Sequence, residues 1–490
     1  MDFIRSKVLD IEVPKANPFE NDALKREPFA QMMTHIVDMY GGNGCVLSFN
    51  GEWGTGKTTF IRMWKQKLEN EHYRTVYFNA WKYDYTDDPL IAIISELKAI
   101  SKDEKIFKSI AACAGRISWG ILTAVTKGII VNKLGIQTDD IAEAITKTVD
   151  TIGQDQIKAF EDQKQTLDDF KKHLQKFVTQ DENDKDESSN IDGCKPVVFF
   201  IDELDRCNPT YAVRTLEIVK HLFDVPNIVF VLSINKQQLS YAIKGYYGSS
   251  NMDAMGYLKR FIDIEIDLPE CEMGEFCNYL YDYYGFRDFF ESTERKQYFQ
   301  HNGETRSFVD AASKLSGHKH LSLRSVEKIF AQCRLSLTDF KSNTYVVPDV
   351  FFYLCLLRST NPEMYEKIRK RAYTNQELMT AIERDIPNSL LSQREEDNNN
   401  YSGDARFINF MIAGLLYLYV FFDGWKGGEL PWKRNSEKDN QSVEMTLDCK
   451  VCDVKGVNEA LSWYVNRHLN IGLKSILDRI ELLRTIDFNR

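Results

Sequence analysis

The stretch Phe49-Asn-Gly51-Glu52-Trp53-Gly54-Thr55-Gly56-Lys57-Thr58-Thr59 decides how this chain reads. From Gly51 to Thr58 it matches G-x-x-x-x-G-K-[ST] in full. In front of it, Cys45-Val-Leu-Ser-Phe49 is a short apolar run bounded by turn residues, which predicts a buried strand. Behind it the pattern predicts a helix from 58 to about 71. Strand, glycine-rich turn and helix in that order make an anion cradle. The glycines let successive N–H groups turn inward, and the helix aims the positive end of its dipole at the same point. In such a cradle residues Gly51, Glu52, Trp53, Gly54, Thr55, Gly56, Lys57, Thr58 and Thr59 surround the phosphates. Lys57 reaches the β- and γ-phosphates and Thr58 offers its hydroxyl to Mg2+.

Further along, Val197-Val-Phe-Phe-Ile201 is a continuous apolar run ending in Asp202-Glu203. Ligands of parallel sheets collect at the carboxyl ends of the strands. Asp202 there is a Mg2+ ligand acting through the metal's water shell, and Glu203 a general base that polarises the attacking water. The alternative is a carboxylate pair capping the next helix. The next run, Ile228-Val-Phe-Val-Leu232, leads into Ser233-Ile-Asn235. In nucleotidases of this arrangement that strand lies between the P-loop strand and the Asp-Glu strand. Asn235 then either senses the γ-phosphate or caps the helix that begins near Lys236.

The remaining pattern extends the same plan. Phe29 to Tyr40 predicts a helix, Thr75-Val-Tyr-Phe78 a strand and 210–223 a helix, while Asp263-Ile-Glu-Ile-Asp-Leu268 alternates as an edge strand would. Residues 90–178 read as helical, with Phe160, Leu167, Phe170, Leu174 and Phe177 at helical spacing, and 179–193 as an acidic exposed loop. Beyond 271 helices dominate. Strands alternating with helices predict an α/β fold with a mostly parallel sheet. The expected organisation is a P-loop NTPase core over 1–99 and 191–270, a helical insertion over 100–190, a helical lid over 271–335 and a C-terminal all-α lobe over 336–490.

Composition narrows the class. The chain has 490 residues, 43% hydrophobic and 27% charged, close to a globular average, which excludes collagen-like, disordered and disulfide-scaffold classes. A net charge of −10 argues against a surface that coats nucleic acid non-specifically. Of the ten cysteines only Cys449 and Cys452 form a C-x-x-C, without a second pair at zinc-binding spacing, so reduced thiols in a cytoplasmic protein are expected. The first residues hold no apolar signal core. Residues 117–131 (ISWGILTAVTKGIIV) are apolar but interrupted by Lys127, and 407–422 (FINFMIAGLLYLYVFF) falls short of the roughly 20 residues of a spanning helix. Both are read as helices that do not cross a bilayer.

Taken together, the chain resembles the KAP family of P-loop NTPases over about residues 15 to 335. The resemblance rests on the P-loop's W-G-x-G-K-T form, on Phe78-Asn79-Ala80-Trp81 and on Phe200-Ile-Asp-Glu-Leu-Asp205-Arg206-Cys207, which is similar to D-D-L-D-R-C. It rests also on Tyr257-Leu-Lys-Arg-Phe-Ile262 before the last strand. The family usually has Asp at the position of Glu203, and many members carry membrane helices where this chain has 100–190. The resemblance implies ATP and Mg2+ as cofactors and places Asn79 and Trp81 near the P-loop, Trp81 for packing. It makes Arg206 a phosphate contact in cis or in trans, or an ion-pair partner of Asp205 or Glu203. Arg324 becomes a sensor-type arginine of the lid or an exposed helix residue. It implies an ATPase of a bacterial antiphage defence complex, with protein partners or further copies held through the helical lobe. A nucleotide-gated scaffold with little turnover and a nucleic-acid-associated motor are the other functional classes.

Overall fold

The computed structural model describes residues 11–86, 88–117, 162, 164–179, 195–299, 303–338, 340–387, 390, 403–421, 432–434, 442–449, 452–467 and 471–481. The chain forms two compact units, Ile11–Glu270 and one that includes Cys271–Arg490.

Among the described residues the first unit is built on five parallel strands. These are β1 (Cys45–Asn50), β2 (Thr75–Asn79), β3 (Val197–Asp202), β4 (Ile228–Ile234) and β5 (Ile264–Asp267), in the order β2-β3-β4-β1-β5. β4 therefore lies between the P-loop strand and the Asp-Glu strand, as the sequence predicts. The central strands are continuous apolar runs because both faces are covered. Val198, Phe200, Val229 and Val231 pack on one face with Phe60 and Trp64, while Phe199, Ile201, Phe230 and Leu232 pack on the other with Leu216 and Phe223. On the first face α1 (Glu27–Tyr40) and α2 (Lys57–Asn70) lie side by side. The Trp64 ring meets Phe200 edge-on at 5.2 Å, and its buried indole N–H donates to Thr34 Oγ1 at 2.9 Å, so the polar end is satisfied. Among the described residues β5 has one neighbour in the sheet, and its alternation of half-buried Ile264 and Ile266 with exposed Glu265 and Asp267 follows from that edge position.

Register sets the level of the site. Asn79 stands opposite Asp202, Asp202 opposite Ser233, and Ser233 opposite Phe49. One row across the carboxyl edge of the sheet thus carries the end of every strand that matters. The described parts of the 100–190 stretch, helical over 104–117 and 164–179, place Ile110, Ala114, Phe170 and Leu174 in the same core as β3 and β4. Arg74 secures the second of these helices by donating to the Phe177 carbonyl at 2.9 Å. Residues 118–161, with most of the apolar 117–131 segment, and the acidic loop lie outside the described residues.

The second unit is mainly helical. Helix Pro348–Thr360 is buried along most of its length, and Phe308 gathers Phe286, Phe330 and Phe352 at 4.7 to 5.6 Å. Residues on both sides of 335 therefore share one core. Helix Gly403–Phe421 buries every residue from Met411 to Val420, as expected of a core helix. Among the described residues no helix is long and apolar enough to cross a membrane. One detail departs from the all-α expectation. Trp432–Arg434 pairs antiparallel with Val443–Met445. Strands of three residues leave no periodicity to read. This ladder is tied instead by a helix, where Ser462 Oγ accepts from Val443 N at 2.8 Å and Asn458 Oδ1 from Met445 N at 2.9 Å.

Candidate nucleotide site

The loop between β1 and α2 has the backbone of an anion cradle. Gly54 and Gly56 sit at φ +83° and +84°, a region that side-chain-bearing residues adopt at a cost. The loop is braced from three directions. Gly51 N donates to the Ile234 carbonyl at 3.1 Å, which ties its entrance to β4. Buried Arg26 donates to the Thr55 carbonyl at 2.8 Å and the Pro269 carbonyl at 3.0 Å, which ties its exit to the segment after β5. Thr55 Oγ1 donates to the Glu52 carbonyl at 2.8 Å. Lys57 opens α2 and folds over the loop, donating to the Gly51 and Glu52 carbonyls at 2.5 and 3.2 Å. Burial pushes its pKa below the ordinary lysine value, and the charges of Asp205 and Asp202 oppose that. A buried cation on main-chain carbonyls beside two carboxylates is a ready partner for phosphate oxygens.

Asp202 ends β3 with no exposed surface. Its Oδ2 accepts from Thr58 Oγ1 at 2.7 Å and Tyr77 OH at 3.1 Å, and its Oδ1 from Glu203 N at 3.0 Å. Burial raises its pKa, while the Thr58 hydrogen bond works the other way. The hydroxyl and carboxylate expected to share a Mg2+ ion are thus already paired. The oxygen donor set fits a hard cation of that kind. One oxygen of nearby Asp205 is buried without a hydrogen-bond partner, so the site retains polar capacity that its own side chains do not fill.

Glu203 follows Asp202 in the left-handed region, at φ +61°. Such a conformation in a glutamate is held by its surroundings. Its Oε2 accepts from Asn79 Nδ2 at 3.0 Å, and its Oε1 pairs with Arg206 Nη1 at 2.7 Å. Asn79 does two things at once. Its Oδ1 caps the short helix Ala80–Tyr83 by accepting from Lys82 N, and its amide holds Glu203. The Arg206 guanidinium lies 5.5 Å from the Trp81 ring and 6.0 Å from the Trp53 ring. The Trp53 indole N–H in turn donates to Asp205 Oδ2. The helix after the Asp-Glu pair is capped by Asn208, which accepts from Thr210 N, so helix capping is not what these two carboxylates do.

The structure brings together Gly51 to Thr59, Asn79, Trp81, Asp202, Glu203 and Arg206. Of the two readings of Asn235, its oxygen performs the capping one, accepting from Gln238 N at 3.1 Å. Of the readings of Arg206, the ion pair with Glu203 is the one present. Arg324 lies in the first turn of Leu323–Ser336, in the second unit. Cys449 and Cys452 are free thiols, half-buried, and among the described residues no cluster of three or more His, Cys, Asp or Glu has the form of a metal site. Sequence reading missed three contributors. Tyr77 is the residue two before Asn79 on one side of β2, a place that strand alternation offers for a second site residue. Arg26 and the Trp53–Asp205 pair have no local signal at all.

Solved structures with detectable likeness include "Structure of the Aeropyrum Pernix ORC2 protein (ADPNP-ADP complexes)", at 12% identity and a TM-score of 0.34, covering 94% of this chain and 86% of that one. "Structure of Drosophila ORC bound to DNA" follows at 10% and 0.33, covering 94% and 88%. Likeness at that level says nothing about this chain's ligands or partners. No curated protein matches the sequence. The family description "KAP family P-loop domain" matches residues 26–390, which contain the cradle, the Asp-Glu strand and the sheet that aligns them. With most of its length inside that match, the chain belongs to the KAP family of P-loop NTPases, a nucleotide-binding family.

Proposed function

We propose that this protein hydrolyses ATP with Mg2+. The observation that carries the reading is Glu203 placed directly after the Thr58–Asp202 pair, with both carboxylate oxygens held by Asn79 and Arg206. A carboxylate has about four lone-pair sites, so two donors leave room for a water. Lys57 and the loop N–H groups would bind the β- and γ-phosphates, and Glu203 would orient the attacking water and take its proton. Thr58 and Asp202 would hold a Mg2+ ion, which would supply charge neutralisation for the transferring phosphoryl group. Asn235 would reach the γ-phosphate through its amide nitrogen. In this reading 271–335 acts as lid, with Arg324 as its sensor, and 336–490 binds protein partners or a further copy. The setting proposed is a cytoplasmic antiphage defence complex, on the strength of the family alone.

The test is phosphate release at saturating ATP and Mg2+ beside equilibrium ATP binding. Wild type should turn over many times, and Lys57→Ala should lose both binding and turnover while keeping its helical circular dichroism. Unchanged binding and rate in folded Lys57→Ala would overturn the site. A second reading, a nucleotide-gated scaffold, is favoured by the double hold on Glu203. It would show ATP binding with at most one turnover.

A further inference from the structure

We propose that Trp53 and Trp81 form an aromatic clamp on Arg206 and through it position Glu203 for the hydrolysis step. The proposal rests on the ATPase reading above. It gives the two indoles a part in the chemistry without contact to the reacting atoms.

Four observations converge. Both tryptophans are large apolar side chains left 44% and 51% exposed, so core packing does not account for where they sit. Both rings lie within cation–π range of one guanidinium, that of Arg206. Each ring is held independently, Trp53 by its hydrogen bond to the buried carboxylate of Asp205 and Trp81 by the short helix that Asn79 caps. The clamped guanidinium ends on Glu203, a residue whose left-handed backbone needs support from side-chain contacts. Arginine suits this place because its flat, delocalised cation can stack and donate at once, which a lysine ammonium cannot do. The chain segments involved are the P-loop, the β2 turn and the turn after β3. One clamp therefore links the phosphate cradle to the general base.

The experiment uses the full chain and compares Trp81→Leu, Trp81→Phe, Arg206→Ala, Arg206→Lys and the double variant Trp81→Leu/Arg206→Ala. ATP affinity and kcat are measured separately. Trp81→Leu should lower kcat by roughly 3- to 30-fold, the range set by the cation–π contribution, with ATP affinity unchanged. Trp81→Phe keeps a ring face and should recover most of the rate. Arg206→Lys should not restore Arg206→Ala. In the Arg206→Ala background, Trp81→Leu should have no further effect. Additive losses in the double variant, or equal losses in Trp81→Leu and Trp81→Phe, would overturn the clamp. So would rescue of Arg206→Ala by mixing with Lys57→Ala subunits, because Arg206 would then act from another copy. If wild type turns over no faster than Lys57→Ala, the ATPase reading fails by itself. The clamp is then read from indole emission, which Arg206→Ala should shift in wild type and leave alone in Trp53→Phe/Trp81→Phe. No shift in wild type would overturn it whatever the activity.

Discussion

Glu203→Gln separates chemistry from architecture at this site. Gln has the shape of Glu but one oxygen and one NH2 group, whereas both positions around Glu203 are donors, Arg206 Nη1 at 2.7 Å and Asn79 Nδ2 at 3.0 Å. Whichever way the amide turns, its NH2 faces a donor. One charge-assisted hydrogen bond is lost, worth about 1.5–3 kcal/mol for a well-buried group. Both side chains are partly exposed, so a stability loss of about 1–2 kcal/mol is expected. Removing the base should slow hydrolysis by about 10²–10⁴, or about 3–5 kcal/mol of barrier. That exceeds the structural effect. ATP affinity should stay within about threefold of wild type, since Glu203 makes no part of the cradle. Single-turnover hydrolysis, equilibrium ATP binding and urea midpoints measured on one preparation keep the three quantities apart. Hydrolysis at the wild-type rate would refute the assignment of Glu203 and direct attention to Asp205. A fall in affinity as large as the fall in rate would make Glu203 a structural residue.

Three further outcomes are expected. Gly56→Ala should weaken ATP binding about tenfold or more in a folded protein, because alanine at φ +84° costs about 1–2 kcal/mol and its Cβ would stand 3.2 Å from Arg26 Nη1, the brace on Thr55; equilibrium binding checks this. Asp349 is buried, and desolvation raises its pKa from 3.8 to about 6. Its folded-state value lies above the unfolded one, so the charged form is disfavoured and stability is lost as pH rises from about 4 to about 6, by up to about 3 kcal/mol. Asp349→Asn should flatten denaturant midpoints across that window and raise them at pH 7. Glu304→Ala strips the carboxylate from Arg295, whose guanidinium is buried and bound through Nε and Nη2 at 2.7 and 2.5 Å. A loss of about 3–5 kcal/mol is expected from leaving that charge without its partner, read as a lowered melting temperature.

How much was legible follows the range of the forces. The P-loop, the continuous apolar strands and the edge strand at 264–267 are written in neighbouring residues: glycine torsional freedom, β-branched and aromatic runs, strict alternation. The position of β4 between β3 and β1 came from the arrangement of nucleotidases that this motif pair resembles, not from the runs themselves. The burial of 411–420 was legible as length, since the apolar run is too short for a bilayer.

The sequence by itself determined the fold class, the phosphate cradle and the Asp202–Glu203 strand end, since each depends on residues adjacent along the chain. Tertiary structure decided what those groups do to one another. Trp53 meets Asp205 from 152 residues away, Asn79 meets Glu203 from 124, and Arg26 reaches Pro269 from 243. Strand register brings Asn79 level with Asp202, and the turns beyond the strands then choose which side chains meet. A pairing of that kind has no local pattern, because it depends on a distance that exists only after the sheet has closed. The same reason hides the Val443–Met445 ladder, whose pairing with Trp432–Arg434 and bonds to Ser462 and Asn458 leave no repeat in its own sequence.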